Sequence, residues 1–230
     1  MLRYAPAAGR TPAQERTGMG NNSGKPQVNI ITISRQYGAG GGELGHILSE
    51  RLGIPLYNHQ ILSEMSRGTG IRETILRAAD ESMNDFQANR LMEFLPAKER
   101  SALDADTVFN QKTLYSIQES TIRSLAEKGP CVFVGRLADF ALRDRDDVMS
   151  VFLYAPREWR IERMMRLEHM SYEETARRLR RIDRERRNYC KYYTGRDWND
   201  CSRYGCMFNS MFMDLETIAG IICRRMKKSM

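Results

Sequence analysis

Ser34-Arg35-Gln36-Tyr37-Gly38-Ala39-Gly40-Gly41-Gly42-Glu43-Leu44-Gly45 decides the fold of this 230-residue chain. Ahead of it, Val28-Asn29-Ile30-Ile31-Thr32-Ile33 reads as a short buried strand. Behind it, Leu44 to Leu52 reads as a helix with an apolar stripe at Leu44, Ile47, Leu48 and Leu52. Strand, glycine-rich turn and helix together cradle phosphate. The turn points several N–H groups at one anion, and the helix N-terminus adds partial positive charge. Four glycines among the five positions 38–42 cost backbone entropy, and a close approach of backbone to a partner offsets that cost. The amides of Gly38, Ala39, Gly40, Gly41 and Gly42 are the candidate binders of donor phosphates.

The stretch departs from the G-x-x-x-x-G-K-[ST] phosphate loop, whose Lys reaches the β/γ-phosphates and whose hydroxyl meets Mg²⁺. With Gly40 as the second Gly, Gly41 stands at the Lys position, Gly42 at the hydroxyl position, and Arg35 at the first Gly. Arg35 is then the candidate source of the missing positive charge. Glu43 is expected to face Arg35 or a bound metal.

Outward from the loop, short apolar runs alternate with amphipathic helices. Ile54 to Tyr57, Cys131 to Val134, Met149 to Tyr154 and, more weakly, Tyr204 to Asn209 read as further strands. Strands spaced by helices predict an α/β three-layer sandwich of about five parallel strands flanked by helices, with ligands at the strands' carboxyl ends. Residues 63–128 read as a mostly helical substrate-side insertion, whose last helix carries Leu114, Ile117, Ile122 and Leu125 on one face. Pro156 suits a helix start, Ser171-Tyr172-Glu173-Glu174 is a capping box, and Asp214 caps the last helix. Residues 1–26 read as a disordered leader and 27–230 as the domain.

Composition narrows the partners. A net charge of +7 and a pI near 9.3 suit anionic ligands. No helix-turn-helix, zinc-finger or aromatic-interleaved basic signature points to nucleic acid. No apolar run approaches the roughly 20 residues that span a bilayer. Five cysteines, without a C-x-x-C, fit a reducing cytoplasmic compartment. The three histidines stand at no ligand spacing, so no protein metal site is expected.

Four pieces of the chain resemble the cytidylate kinase-like family, a P-loop-type group of nucleoside monophosphate kinases. They are the loop itself, Leu52 to Asn58, Val134 to Asp139, and Ile182 to Tyr189 running on to Tyr192 to Trp198. The family usually has Asp at the position of Asn58. The resemblance implies transfer of the γ-phosphoryl group of ATP, with Mg²⁺, to a nucleoside monophosphate, most readily CMP or dCMP. It also implies a helical insertion and an arginine-rich lid, here about 171–200. By resemblance, Arg136 holds the acceptor phosphate. Arg181, Arg184 and Arg187, three residues apart and so on one helix face, belong to the lid that closes on both phosphates. Asp183 orients an Arg or the acceptor. Tyr189, Tyr192, Tyr193 and Trp198 either stack on a base or pack the lid. Small-molecule nucleotides are the expected substrates, without nucleic acid or membrane, and oligomeric state stays open. Two rival readings also stand: a nucleotide-binding regulatory module without turnover, and a kinase of a non-nucleotide small molecule.

Overall fold

Ile30-Ile31-Thr32-Ile33 buries every side chain, the small Thr32 among them, and it takes the middle of the sheet. The computed structural model describes residues 28–73, 76 and 111–227. The expected leader at 1–26 and the 77–110 part of the expected insertion lie outside the described residues. Strand β1 (Ile30–Arg35) pairs in parallel with β3 (Cys131–Val134) on one side and with β4 (Val148–Tyr154) on the other. Beyond these lie β2 (Leu56–Tyr57) and β5 (Cys206–Asn209), giving the order β2-β3-β1-β4-β5. Alternate residues of β1 enter different layers. Ile31 and Ile33 pack with Val132, Val134 and Val151 under α1 (Gly41–Leu52) and α7 (Leu215–Lys227). Ile30 packs with Cys131 and Phe133 under α2 (Gln60–Thr69) and α3 (Gln111–Glu127). This is the expected α/β three-layer arrangement, a five-stranded parallel sheet between two layers of helices.

From β1 the chain crosses to β2 on one side of the sheet, whereas from β3 it crosses over β1 to β4 and on to β5 on the other. Such a switch point opens a crevice at the carboxyl ends of the strands. The loop after β1, the turn after β3 and the Asn58-His59 turn after β2 all reach this edge.

Two boundaries differ from the sequence reading for physical reasons. β1 starts at Ile30 and continues through Arg35, because β4 supplies a partner as far as Leu153. α1 starts at Gly41, three residues earlier than its apolar stripe, with Gly40 at φ 89° as N-cap. The glycines 41 and 42 are therefore the first helical turn rather than free loop.

After β4, α5 (Arg157–Glu168) and α6 (Tyr172–Thr194) form a helical pair. The Ser171–Glu174 capping box is present, and Asp214 accepts from the Thr217 amide at 2.8 Å. The pair has a small core of its own, Ile161, Ala176 and Leu179, against which Tyr37 of the loop packs. Beyond it, Tyr115, Phe152, Cys190, Trp198 and Tyr204 form an aromatic cluster. The short helix α4 (Ala138–Ala141) follows β3. Among the described residues, no helix is long and apolar enough to cross a membrane.

Candidate active site

Two cavities meet at the carboxyl edge. One, about 320 Å³, lies over the glycine loop and is lined by Gly38, Gly40, Gly41, Gly42 and Glu43, with Arg163 above. The other, about 660 Å³, opens between the ends of β2 and β3 and helix α6, with Asn58, Gly135, Arg136 and Tyr189 in its wall. Arg35 and Arg186 line both.

Arg35 is the hinge of this geometry. Its aliphatic stem lies against Gly41, where a Cβ would fall 2.5 Å from the Arg35 Cγ. Its guanidinium lies against Gly135, where a Cβ would fall on Nη1. Gly41 therefore lacks a side chain because Arg35 occupies the space. A Lys at 41 would meet the same clash, and the guanidinium at this point is that of Arg35, from the end of β1.

Arg186 donates to the Arg35 carbonyl at 2.9 Å. Burial pushes the Arg35 guanidinium well below its usual range, and the charges of Arg186 and Arg136 push it further. Burial also lowers Arg186, with Asp183 opposing the shift. Like charges gathered in a partly desolvated cavity repel, and a bound anion relieves that repulsion. Such clusters of perturbed groups mark functional sites.

The turn after β3 holds Arg136 in an uncommon conformation. Gly135, Arg136 and Leu137 run at φ 78°, 60° and 51°, three left-handed residues in succession. For the two non-glycine residues this costs roughly 1–3 kcal/mol each, a strain that concentrates at ligand sites.

The loop is clamped from below. The Tyr37 amide donates to Asp183 at 2.8 Å, and Arg160 donates to the other Asp183 oxygen at 2.7 Å. Arg160 also donates to the carbonyls of Tyr37 and Ala155. Asp183 is thus a buried anchor between α6, α5 and the loop. It orients an Arg, and its two oxygens are taken by the Tyr37 amide and Arg160 rather than turned to the larger cavity. Glu43 faces Arg163 rather than Arg35. It makes a bidentate pair with Arg163 at 2.6 and 2.7 Å, and Arg163 also donates to the Gly38 carbonyl at 3.3 Å.

The arginines of α6 divide. Arg181 lines the larger cavity and lies 3.8 Å from Glu185. Arg184 and Arg187 are exposed and line neither cavity. Arg186, one position before Arg187 and off the 181/184/187 spacing expected from the sequence, lines both cavities. Tyr189 and Trp198 line the larger cavity, and Trp198 also packs edge-on against Phe152 at 5.3 Å. Tyr193 is engaged in packing, stacked on Tyr115 at 4.5 Å, while Tyr192 is half exposed. Arg203 was not signalled by the sequence at all. It forms a 2.7 Å ion pair with Asp139, both almost wholly buried, and fixes the chain beyond α6 to α4.

Residues 30–211 match the model of the cytidylate kinase-like family. The chain belongs to that family. A cytidylate kinase of Methanosarcina mazei is 27% identical over 184 residues, covering 78% of this chain and 86% of that protein. A solved structure of an uncharacterised protein from Eubacterium ventriosum overlays with a TM-score of 0.62 at 22% identity, covering 87% of this chain and 99% of the other. A shikimate kinase from Acinetobacter baumannii covers 87% of this chain and 94% of its own, at 15% identity and a TM-score of 0.43.

Proposed function

We propose that the chain is a nucleoside monophosphate kinase that transfers the γ-phosphoryl group of Mg²⁺·ATP to CMP or dCMP. The observation that carries this reading is the arginine pair Arg35 and Arg186, shared by a glycine-cradled cavity and a larger aromatic-walled one. Phosphoryl transfer asks little covalent chemistry of a protein. It asks for positioning and for positive charge around the transferred group.

In this reading the first-turn amides of α1 and the loop amides of Gly38 to Gly42 bind donor phosphates. Three features fit that group: helix N–H groups without intrahelical acceptors, the cavity above them, and an open approach at Gly42, where a Cβ would meet nothing within 4 Å. ATP supplies the transferable group, and Mg²⁺ is held mainly by phosphates and water, with Glu43 the carboxylate on that side. Arg35 does the work of the absent Lys from β1. Arg136 binds the acceptor phosphate, and the planar forks of Arg186 and Arg181 hold phosphate oxygens between the cavities. Tyr189 and Trp198 offer apolar walls to the acceptor. Residues 171–200 act as the lid and 63–128 as the substrate-side insertion. Arg184 and Arg187 serve the reaction only if lid movement turns the outer face of α6 inward.

The test is ADP release from Mg²⁺·ATP with each common ribo- and deoxyribonucleoside monophosphate added singly. Acceleration by CMP or dCMP supports the reading. Nucleotide binding without acceleration by any acceptor replaces it with a regulatory module. Acceleration only by a non-nucleotide hydroxyl acceptor replaces it with a small-molecule kinase.

A further inference from the structure

Helix α3 carries a buried amide that touches two walls of the larger cavity at once. Gln118 is 2% exposed. Its Nε2 donates to the Arg136 carbonyl at 2.8 Å and to the Tyr189 hydroxyl at 3.1 Å. One turn away, Tyr115 stacks on Tyr193 at 4.5 Å. Residues 115 and 118 on α3 therefore meet 193 and 189 on α6, one helical turn against another. Arg136 and Tyr189 both line the cavity, whereas Gln118 does not.

We propose that Gln118 is a positioning residue that couples the Arg136 turn to helix α6, so that an anion drawn onto Arg136 also sets the position of Tyr189. The role of the cavity as an acceptor site rests on the kinase reading; the coupling itself does not. Two observations carry the proposal. First, the backbone at Arg136 and Leu137 is left-handed, and a strained turn persists only where its surroundings over-determine it. The Gln118 hydrogen bond to the Arg136 carbonyl is such a determinant. Second, the same NH₂ group serves both partners from a buried position. Displacing either one leaves a desolvated donor unpaired, so the two partners hold one another's geometry. A packed apolar side chain would fill the same space without imposing that relation.

The experiment compares Gln118→Met with Gln118→Glu in the full chain, by hydrogen exchange and by kinetics. Methionine keeps length and apolar volume but donates nothing. Its expected effect is roughly tenfold faster exchange in residues 135–138 and 188–193 together, with the amides of β1 and β4 unchanged. Glutamate reverses the Tyr189 bond, accepting from its hydroxyl, but turns an oxygen toward the Arg136 carbonyl. It should loosen 135–138 more than 188–193. In turnover, Gln118→Met should raise the KM for the monophosphate about tenfold and leave the KM for ATP within about twofold. Unchanged exchange in either segment, or faster exchange across all the strands, overturns the coupling. If the unaltered chain turns over no nucleoside monophosphate, the kinase reading fails while the exchange comparison still decides the role of Gln118.

Discussion

Both faces of α6 carry arginine, and the two faces meet opposite surroundings. On the inner face, Asp183 and Cys190 are buried and Arg186 reaches under the loop to the Arg35 carbonyl. On the outer face, Arg180, Arg184 and Arg187 stand in water. One step along a helix turns a side chain by about 100°, which is enough to move a guanidinium from a screened surface to a desolvated cavity. A charge in water contributes little, and a charge beside like charges in a cavity lowers their pKa and attracts an anion. The lesson is that arginine content identifies the helix, whereas burial identifies the arginine.

The comparison breaks most sharply at Asp183. Asp183→Ala leaves Arg160 buried without its carboxylate and should cost about 3–5 kcal/mol, read from urea unfolding. Glu185→Ala, beside exposed Arg181, should cost less than about 0.5 kcal/mol. Next, Arg186→Ala should lower turnover on the order of 10²- to 10³-fold, the range for loss of a preorganised donor. Arg184→Ala and Arg187→Ala should stay within about threefold on the same ADP-release assay. The opposite ranking would mean that the outer face turns inward during turnover.

The adjacent glycines of α1 sharpen the point at lower energy. Gly41→Ala drives a Cβ into the Arg35 stem and should destabilise by about 1–3 kcal/mol, with turnover falling as Arg35 moves. Gly42→Ala meets open space and should be neutral or stabilising by up to about 1 kcal/mol. The smallest effect is at the loop's aromatic clip. Tyr37 donates its hydroxyl to Glu168 at 2.8 Å, and burial followed by that bond pushes its pKa up to about 12. The folded chain thus holds this proton more tightly than the unfolded one. The resulting stability is fully present below about pH 10, the unpaired tyrosine value, and is lost as pH rises toward 12. Tyr37→Phe should flatten that alkaline loss in thermal melts taken from pH 9 to 12, and an unchanged slope would sink the assignment.

Much of the fold is legible in local pattern. Ile30 to Ile33 and Cys131 to Val134 are apolar on both sides, and such runs are stable as strands only between two layers. Ser171 and Glu174 cap a helix whatever lies beyond it, because both partners sit within one turn. The loop reads as an anion cradle for the same reason: its donors are backbone groups of neighbouring residues. Arg35 was legible as a candidate source of positive charge because the loop pattern exposes a vacant Lys position, and the structure places it in the wall of both cavities. What makes Gly41 small was not legible, since that depends on where the Arg35 stem lies. Glu43 pairs with Arg163, 120 positions away, and no local pattern connects them. Gln118 and Arg203 gave no signal either, for each looks like an ordinary polar residue until long-range packing buries it.

The sequence by itself determined the strand–loop–helix unit, the parallel order implied by alternating elements, and the family. Those features rest on contacts between near neighbours and on which segments cannot face water. Only the tertiary structure decided which arginines share a cavity, that Asp183 anchors the loop, and that Gln118 spans Arg136 and Tyr189. Each of these depends on the local dielectric and on distances between residues far apart in the chain, and both are set by how the layers pack.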